Sequence, residues 1–427
     1  MINGSFIMEG ILFGLDIGTT KICALVGEVR DGQLQIIGLG IEPSNGLKKG
    51  MVVDVNEATD AIAKAVEAAE QTSGYQLERA IVSMAGEHLE SCNGKSSVVI
   101  PRGGDGVTRT HIAMALEAAR TMVVPPEREV VHLVPRSYAI DGQNGIVSPL
   151  GMVGGRMEIE AHIVTASATA LQNIGKCTRD VGLQTEEFVL NCLASAECVL
   201  DPTERDMGVI VVDIGGGTTD IAIFTQGTVW HTDVIPLGGQ HFTNDIAIGL
   251  RVPFEIAEEV KLRHGTCLPD DIDPANTFKV KPFSGEQIDV GLQDLAKVVE
   301  ARAEELFDMI LDSIKGSGYE GLLPAGIVLT GGGSQLRHLT AVAERILGVP
   351  ARIGHPRNLL GLVDRLQSPA YATGVGLLRW ALSDYHNYRP IEMQKHERLR
   401  PAWPRNRDKG PREPSRIGEF LKNFLPG

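Results

Sequence analysis

Two short segments of this chain have residue types that suit the binding of a polyphosphate. Asp16-Ile17-Gly18-Thr19-Thr20-Lys21 follows a mostly apolar run, and so does Asp213-Ile214-Gly215-Gly216-Gly217-Thr218-Thr219-Asp220. Each predicts a buried strand that ends in an acid, then a Gly/Thr turn whose backbone N–H groups can converge on an anion. The carboxylate can hold a hydrated divalent cation, while hydroxyl and ammonium groups reach phosphate oxygens. Two such loops facing each other would grip one polyphosphate from both sides.

An ordinary hairpin turn is the alternative interpretation of each loop, since Gly and Thr are common in turns. The elements predicted after the first loop are strands at Lys21–Val26 and Gln33–Gly38 and a helix at Asn56–Gln71. Those predicted after the second loop are strands at Thr219–Thr225 and Thr228–Ile235 and a helix from Phe242. Because the order matches over about sixty residues, the sequence predicts two duplicated halves.

A third glycine-rich segment stands at a predicted strand-to-helix junction. The strand Ala325–Leu329 runs into Thr330-Gly331-Gly332-Gly333-Ser334, and we predict a helix that begins near Gln335. Glycines at such a junction let a flat ring lie against the backbone. Behind two phosphate loops, this segment predicts that the anion is an adenine nucleotide.

Composition excludes several classes of protein. With 427 residues the chain exceeds a usual single core, so more than one domain is expected. A formal charge of −14 and 5% aromatic residues argue against a general nucleic-acid binder. The sequence has no run that predicts a membrane-spanning helix and no leader pattern, so we expect a cytoplasmic protein. The six cysteines lack CxxC spacing and are expected to be reduced.

The C-terminal residues predict a membrane anchor. Within 415–427, one apolar stripe at helical spacing is formed by Ile417, Phe420, Leu421, Phe424 and Leu425. A Pro/Arg-rich segment, 389–414, precedes it and predicts a flexible linker. Half-burying five large apolar side chains is worth about 4–8 kcal/mol, so one helix binds lipid reversibly and a row of linked molecules binds tightly. The alternative is a helix that docks on the protein's own body.

The three loops, in this order on two halves, resemble those of the actin-like ATPase superfamily. Over nearly its whole length the chain is further similar to the FtsA family of bacterial cell-division proteins, in the stretches Gly208–Phe224, Ala257–Gly265, Ala325–Gly333 and Tyr371–Leu378. The segment that holds Val131–Pro135 and Tyr138–Asp141 resembles the inserted subdomain peculiar to that family. The resemblance implies an α/β, actin-like fold with two duplicated ATPase-type halves, this insertion, and a disordered tail that ends in the amphipathic helix.

The same resemblance implies a division of the chain into subdomains. They are subdomain 1A (1–85, 166–205 and 350–388), inserted subdomain 1C (86–165), subdomain 2A (206–240 and 318–349), helical subdomain 2B (241–317), the linker (389–414) and the membrane helix (415–427).

It also implies ATP and Mg²⁺ as ligands. The residues that carry over to the phosphates are Gly18, Thr19, Thr20, Lys21, Gly215, Gly216, Gly217 and Thr218. Asp16 and Asp213 would hold Mg²⁺ through water, and Gly332, Gly333 and Ser334 would border the adenine. Glu258 and Lys261 match the pair on the ribose and adenine side, although a solvent-exposed ion pair is an equally good interpretation of them.

One departure from the superfamily concerns hydrolysis. Where active members commonly place Glu or Gln to orient the attacking water, this chain has Asn191. Asn is shorter by one methylene, and a displacement of about 1 Å can cost on the order of a hundredfold in rate. We therefore expect ATP binding with slow hydrolysis at most.

The function implied by the resemblance is that of a polymerising adaptor on the inner face of the cytoplasmic membrane at the division site. Its partners would be the C-terminal peptide of FtsZ, docking within 241–317 with Arg302 as a candidate contact, further copies of itself, later division proteins at the insertion, and membrane lipid, but no nucleic acid. Two alternatives stay open: a small-molecule kinase of the same superfamily, and an actin-like pilus-assembly ATPase that binds a membrane partner's cytoplasmic tail.

Overall fold

The computed structural model describes residues 10–101, 103–319 and 323–382, with strands and helices numbered along the chain. The strands are β1 (Gly10–Ile17), β2 (Lys21–Arg30), β3 (Gln33–Pro43), β4 (Leu47–Lys48), β5 (Met51–Val52), β6 (Arg79–Met84), β7 (Leu89–Val99), β8 (Arg128–Ile140), β9 (Gln143–Ile146), β10 (Arg156–Ser167), β11 (Gln184–Leu190), β12 (Val209–Ile214), β13 (Thr219–Thr225), β14 (Thr228–Ile235), β15 (Thr277–Val280), β16 (Ile288–Gly291), β17 (Ile327–Thr330) and β18 (Ala351–Ile353).

The helices are α1 (Val55–Ser73), α2 (Arg109–Val123), α3 (Ala168–Asp180), α4 (Asn191–Val199), α5 (Pro202–Met207), α6 (Gly239–Leu250), α7 (Phe254–His264), α8 (Leu292–Ser317), α9 (Leu339–Leu347) and α10 (Ala372–Trp380). The predictions for the linker and the membrane helix, 389–427, fall outside the described residues.

Two five-stranded sheets have the same construction. One has the order β11-β6-β1-β2-β3 and the other β18-β17-β12-β13-β14. In both, the first strand of the half pairs antiparallel with the second and parallel with a later strand. The central strands are buried and nearly continuously apolar, as expected of strands covered on both faces. The fold is therefore the α/β, actin-like arrangement of two duplicated halves that the sequence predicted.

Local sequence explains how α1 lies so close to the first sheet. The Asp54 side chain caps the helix by accepting from the N–H groups of Asn56 and Glu57, and Gly74 ends it with a φ of 77°. Its inner face is rich in alanine. A Cβ added to Gly40 of β3 would lie 1.9 Å from the Ala65 carbonyl oxygen, so only glycine permits this approach.

A third sheet, β7-β10-β8-β9, belongs to the segment between β6 and α3. Helix α2 packs on its β7 side, and the Thr108 hydroxyl caps that helix by accepting from the His111 N–H. In this segment the sequence predicts a helix at Thr110–Thr121 and strands at Glu129–Val134 and Met157–Thr165, which correspond to α2, the first half of β8 and β10. Strand β7 was not predicted, because residues 90–97 are mostly polar and show no apolar alternation.

Helices α6, α7 and α8 form a layer against the second sheet. The inner face of α8 is buried along most of its length, and its outer face carries the exposed acidic residues Glu304, Glu305 and Asp308. Two predicted helix starts were wrong. Helix α6 begins at Gly239, not Phe242, because the Gly238 N–H donates to His241 Nδ1 and closes the first turn earlier. After the third glycine-rich loop, a short 3₁₀ turn and the left-handed His338 (φ 64°) delay α9 to Leu339.

Candidate functional site

The two predicted phosphate loops are hairpins of the same build. In the first, the Gly18 N–H donates to the Lys21 carbonyl at 3.0 Å. In the second, the Gly215 N–H donates to the Thr218 carbonyl at 2.9 Å. Both turns are thus closed by a hydrogen bond from the first glycine N–H to the carbonyl three residues later. The other N–H groups of each turn do not take part in this hydrogen bond.

The loops meet across the cleft between the halves. A Cβ on Gly216 would lie 2.2 Å from Thr20 Cγ2, and one on Gly217 would lie 2.9 Å from Thr19 Oγ1. The glycines therefore permit van der Waals contact between the loops. The Thr19 hydroxyl also accepts from the Gly50 N–H at 3.2 Å, which holds the first loop from behind.

Asp16 and Asp213 occupy matching positions, one residue before the end of β1 and of β12, and both are buried. Ser83 Oγ donates to Asp16 at 2.9 Å, whereas Ser195 Oγ and Thr373 Oγ1 donate to Asp213. Burial raises the pKa of both carboxyls, and the charge of Asp16 further raises that of Asp213. The two buried carboxylates therefore repel each other, and a cation close to both would relieve that repulsion.

Asp220 joins the same acidic group, and the sequence analysis did not select it as a site residue. It pairs with Asp213 in the β12–β13 register and is buried. Thr218 Oγ1 donates to its Oδ2 at 3.2 Å, while Oδ1 is buried and accepts no hydrogen bond within the part of the chain that the structure describes. Burial, and then the Asp213 charge, raises its pKa well above the usual range. The second aspartate at the end of the motif was the signal for it.

Lys21 brings a cation to this group. Its Nζ lies 3.9 Å from Asp16 Oδ2 and donates to the Ala370 carbonyl. The same Nζ is 5.1 Å from the centroid of the Tyr371 ring. The segment before α10 therefore borders the first phosphate loop, and Lys21 can exchange these contacts for phosphate oxygens.

The third glycine-rich loop packs on the base of the second. Gly331 has a φ of +80°, and a Cβ there would lie 2.3 Å from Asp213 Oδ1. At Gly333 a Cβ would lie 2.4 Å from Ile214 Cγ2, whereas at Gly332 the nearest atom is 3.8 Å away. The buried Ser334 hydroxyl donates to the Gly331 carbonyl at 2.8 Å and fixes the turn.

Glu258 and Lys261 form an ion pair beside the second phosphate loop. Lys261 Nζ donates to Glu258 Oε2 at 2.7 Å, to Thr243 Oγ1 at 2.9 Å and to the Gly239 carbonyl at 3.1 Å. The Lys261 side chain is 12% exposed and that of Glu258 is 37% exposed, so the ammonium is sheltered while the carboxylate still reaches solvent.

The glycine pair Gly238-Gly239 at the start of α6 contacts the second loop, and the sequence analysis did not select it. The N–H groups of Gly239 and Gln240 donate to the carbonyls of Gly215 and Gly216 at 2.9 and 2.8 Å. A Cβ on Gly238 would lie 2.7 Å from the Gly215 carbonyl oxygen. The Gly-Gly step between a strand and a helix was the available signal.

Asn191 is the first residue of α4, the helix whose Ser195 donates to Asp213. Its Oδ1 is buried and accepts no hydrogen bond from any described residue. The preceding N–H, of Leu190, donates to His132 Nε2 at 3.1 Å. Two orphaned oxygens, on Asn191 and Asp220, suit a cleft that takes a hydrated cation or a bound water.

Arg302 lies apart from these loops, on α8. Its Nε and Nη2 donate to the two carboxylate oxygens of Asp245 on α6 at 2.6 and 2.8 Å, and Nη1 donates to Glu305. The guanidinium is thus engaged within the helical layer, with a quarter of its side chain exposed.

Comparison with known proteins agrees with this geometry. The family described as "Cell division protein FtsA" matches residues 210–376, and "SHS2 domain inserted in FTSA" matches residues 86–165. A cell division protein FtsA of Pseudomonas aeruginosa is 45% identical over 375 residues, which cover 87% of this chain and 89% of that protein. The chain belongs to the FtsA family of bacterial cell-division proteins.

Solved structures show the same fold at low sequence identity. The PilM–PilN type IV pilus biogenesis complex aligns with a TM-score of 0.64 and 19% identity, covering 88% of this chain and 99% of that one. MreB5 of Spiroplasma citri bound to ADP aligns at 0.54 and 15% identity, covering 90% and 98%. Among the described residues of this FtsA-family chain, no helix is both long and apolar enough to cross a membrane.

Proposed function

We propose that this FtsA-family protein binds ATP with Mg²⁺ between its two halves. The observation that carries the proposal is the pair of matching hairpin loops in contact across the cleft. The two loops would hold the phosphates through N–H, hydroxyl and ammonium groups. Their residues are Gly18, Thr19, Thr20 and Lys21 on one side and Gly215, Gly216, Gly217 and Thr218 on the other. The MreB5 structure, bound to ADP, supports a nucleotide in this fold.

The remaining residues fit the rest of the ligand. Gly332, Gly333 and Ser334 would border the adenine, and Glu258 with Lys261 would face the ribose side, where Lys261 already anchors the start of α6. Asp16 and Asp213 would hold Mg²⁺ through water, and the ion would neutralise phosphate charge. Asp220 joins them as a third carboxyl.

Hydrolysis is expected to be slow. Asn191 would orient the attacking water, because its buried Oδ1 is unpartnered and it begins the helix that holds Asp213. Its short side chain leaves the water poorly placed. The protein would thus act chiefly as a nucleotide-dependent adaptor.

We further propose the division role that the family suggests. The chain would comprise subdomains 1A, 1C, 2A and 2B with the boundaries given above, polymerise head to tail, and hold the FtsZ C-terminal peptide on 2B near Arg302. The insertion would meet later division proteins. The apolar stripe within 415–427 would tie the polymer to the inner face of the cytoplasmic membrane at the division site.

Titration of the purified full chain with ATP and Mg²⁺ tests the central proposal. We expect saturable binding that Lys21→Ala weakens by about ten- to a hundredfold, since it removes a charge-assisted hydrogen bond. Lys64→Ala is the matched control, because Lys64 forms an exposed pair with Asp60 on α1. Equal binding by Lys21→Ala and wild type would refute the assignment of the loop.

A further inference from the structure

Strand β8 of the insertion reaches the nucleotide site that the proposed function assumes. The His132 side chain is buried, and its Nε2 accepts the Leu190 N–H at 3.1 Å, at the point where β11 ends and α4 begins. Asn191 is the next residue. A side chain of the insertion thus fixes the backbone that presents Asn191.

The same imidazole contacts the second helix of the site. Its ring meets Trp380 of α10 edge to face, with the centroids 5.3 Å apart. Helices α4 and α10 each supply one hydroxyl, from Ser195 and Thr373, to Asp213. His132 therefore contacts the residue that precedes α4 and the last residue of α10, and these two helices hold the Asp213 carboxylate.

Four residues further along β8, a second side chain binds the other half of the molecule. The buried Arg136 guanidinium lies 4.3 Å from the centroid of the Trp230 ring on β14 and donates to the Tyr319 hydroxyl beyond α8. It also pairs with Glu160 of β10 at 3.2 Å. One strand of the insertion is therefore held by the first half through His132 and by the second half through Arg136.

We propose that His132 is a positioning residue that couples occupancy of the nucleotide site to the conformation of the insertion. This inference rests on the proposed ATP binding. A ligand that enters between the two contacting loops shifts the β11–α4 junction, and the hydrogen bond to His132 passes that shift to β8. Because coupling between sites is reciprocal, a protein that docks on the insertion changes nucleotide affinity by the same factor.

Hydrogen exchange of the full chain, with and without ATP and Mg²⁺, tests the coupling. In the wild type we expect ATP to slow exchange in peptides from both phosphate loops and, by about fivefold or more, in peptides covering 128–140. His132→Phe keeps an aromatic ring beside Trp380 but removes the acceptor. It should retain protection of the loops and lose the ATP effect on β8, and His132→Gln, whose carbonyl can accept from Leu190, should restore it.

A matched control separates coupling from loss of stability. Thr108→Ala removes the cap of α2 and loosens the insertion but leaves the contacts of His132 with Leu190 and Trp380 in place, so it should keep the ATP effect. Loops without protection in the wild type would overturn the ATP proposal itself. Three results would overturn the role of His132. They are wild-type protein in which ATP protects the loops but not β8, a His132→Phe variant that keeps the ATP effect on β8, and a Thr108→Ala variant that loses it.

Discussion

Three buried aspartates lie close enough to affect one another's ionisation, and burying their charges costs free energy of folding. Asp16, Asp213 and Asp220 each have a raised pKa because burial disfavours the charged form and neighbouring carboxylates add repulsion. Hydroxyl donors only partly offset that cost. Such an arrangement lowers the stability of the free protein, and the proposed Mg²⁺ would offset the repulsion between the carboxylates.

Asp220→Asn should stabilise the protein free of nucleotide and abolish most Mg²⁺-dependent ATP binding. A folded-state pKa above the unfolded value means that the native state holds its proton more tightly, so the charged carboxyl destabilises the fold increasingly as pH rises. We expect a gain of about 1 kcal/mol, which is about 1 °C in Tm for a chain of this length, at the upper end of pH 5–9, with a smaller gain toward pH 5. Thermal unfolding across that range measures it, and a gain that does not vary with pH would contradict the assignment.

Gly238→Ala should weaken ATP binding, because the new Cβ would meet the backbone of the second phosphate loop at 2.7 Å. Relief of that overlap must displace the loop, so we expect a loss of about tenfold or more in affinity. Gly316→Ala on α8 is the control, since its Cβ would meet no atom within 4 Å. The control should keep its affinity and gain slightly in stability from helix propensity. Equal affinity of both variants would show that the glycine pair does not support the loop.

At the scale of elements, the helical layer presents α8 as the surface proposed for FtsZ. Arg302 lies there in a two-pronged pair with Asp245, which cross-links α8 to α6. Reversing its charge therefore changes the surface and also leaves Asp245 and Glu305 unpaired. A single substitution would mix both effects, so the design needs a compensated variant.

Arg302→Glu should weaken capture of the FtsZ C-terminal peptide by about tenfold or more, if this guanidinium contacts the partner. Arg345→Glu is the matched control, because Arg345 on α9 pairs with Glu300 and Glu304 of α8, the helix that carries Arg302. The double variant Arg302→Asp with Asp245→Arg restores the ion pair in reverse. Binding measured by fluorescence anisotropy should stay weak in the double variant. Full recovery there would mean that the pair serves only to hold α8.

At the scale of the whole molecule, the proposed membrane binding would depend on many weak anchors acting together. One predicted short helix with five apolar residues would bind lipid reversibly, and linkage of molecules in the proposed polymer would multiply its effect. ATP binding in the cleft and lipid binding at the tail are therefore expected to act jointly.

The full chain should co-sediment with anionic vesicles, and more so with ATP and Mg²⁺. Phe420→Glu together with Phe424→Glu places charges in the apolar stripe and should abolish pelleting while nucleotide binding remains. Asn423→Glu, on the polar side of the same predicted helix, is the control and should still pellet. Pelleting by the Phe variant equal to that of the control would rule out this stripe as the anchor.

The duplicated hairpins and the aspartate before each of them could be predicted from the sequence, because these features are local. A strand, a Gly/Thr turn and a second strand are closed by hydrogen bonds between residues three apart, and their repetition predicted two halves. Gly376 permits close packing of α10 on α4, because a Cβ there would lie 1.9 Å from the Ala194 carbonyl oxygen. The residue at which a helix begins after a strand was predicted less accurately, since α9 begins at Leu339 and not near Gln335.

Only the tertiary structure brought distant residues to the site. Ser83, Ser195 and Thr373 donate to the aspartates from elements 18 to 160 residues away, and His132 arrives from the insertion. Serine, threonine and histidine at such positions carry no periodic signal, since their neighbours are decided by how helices and sheets pack. The local pattern thus determined which loops meet the ligand, and long-range packing determined which side chains hold those loops in place.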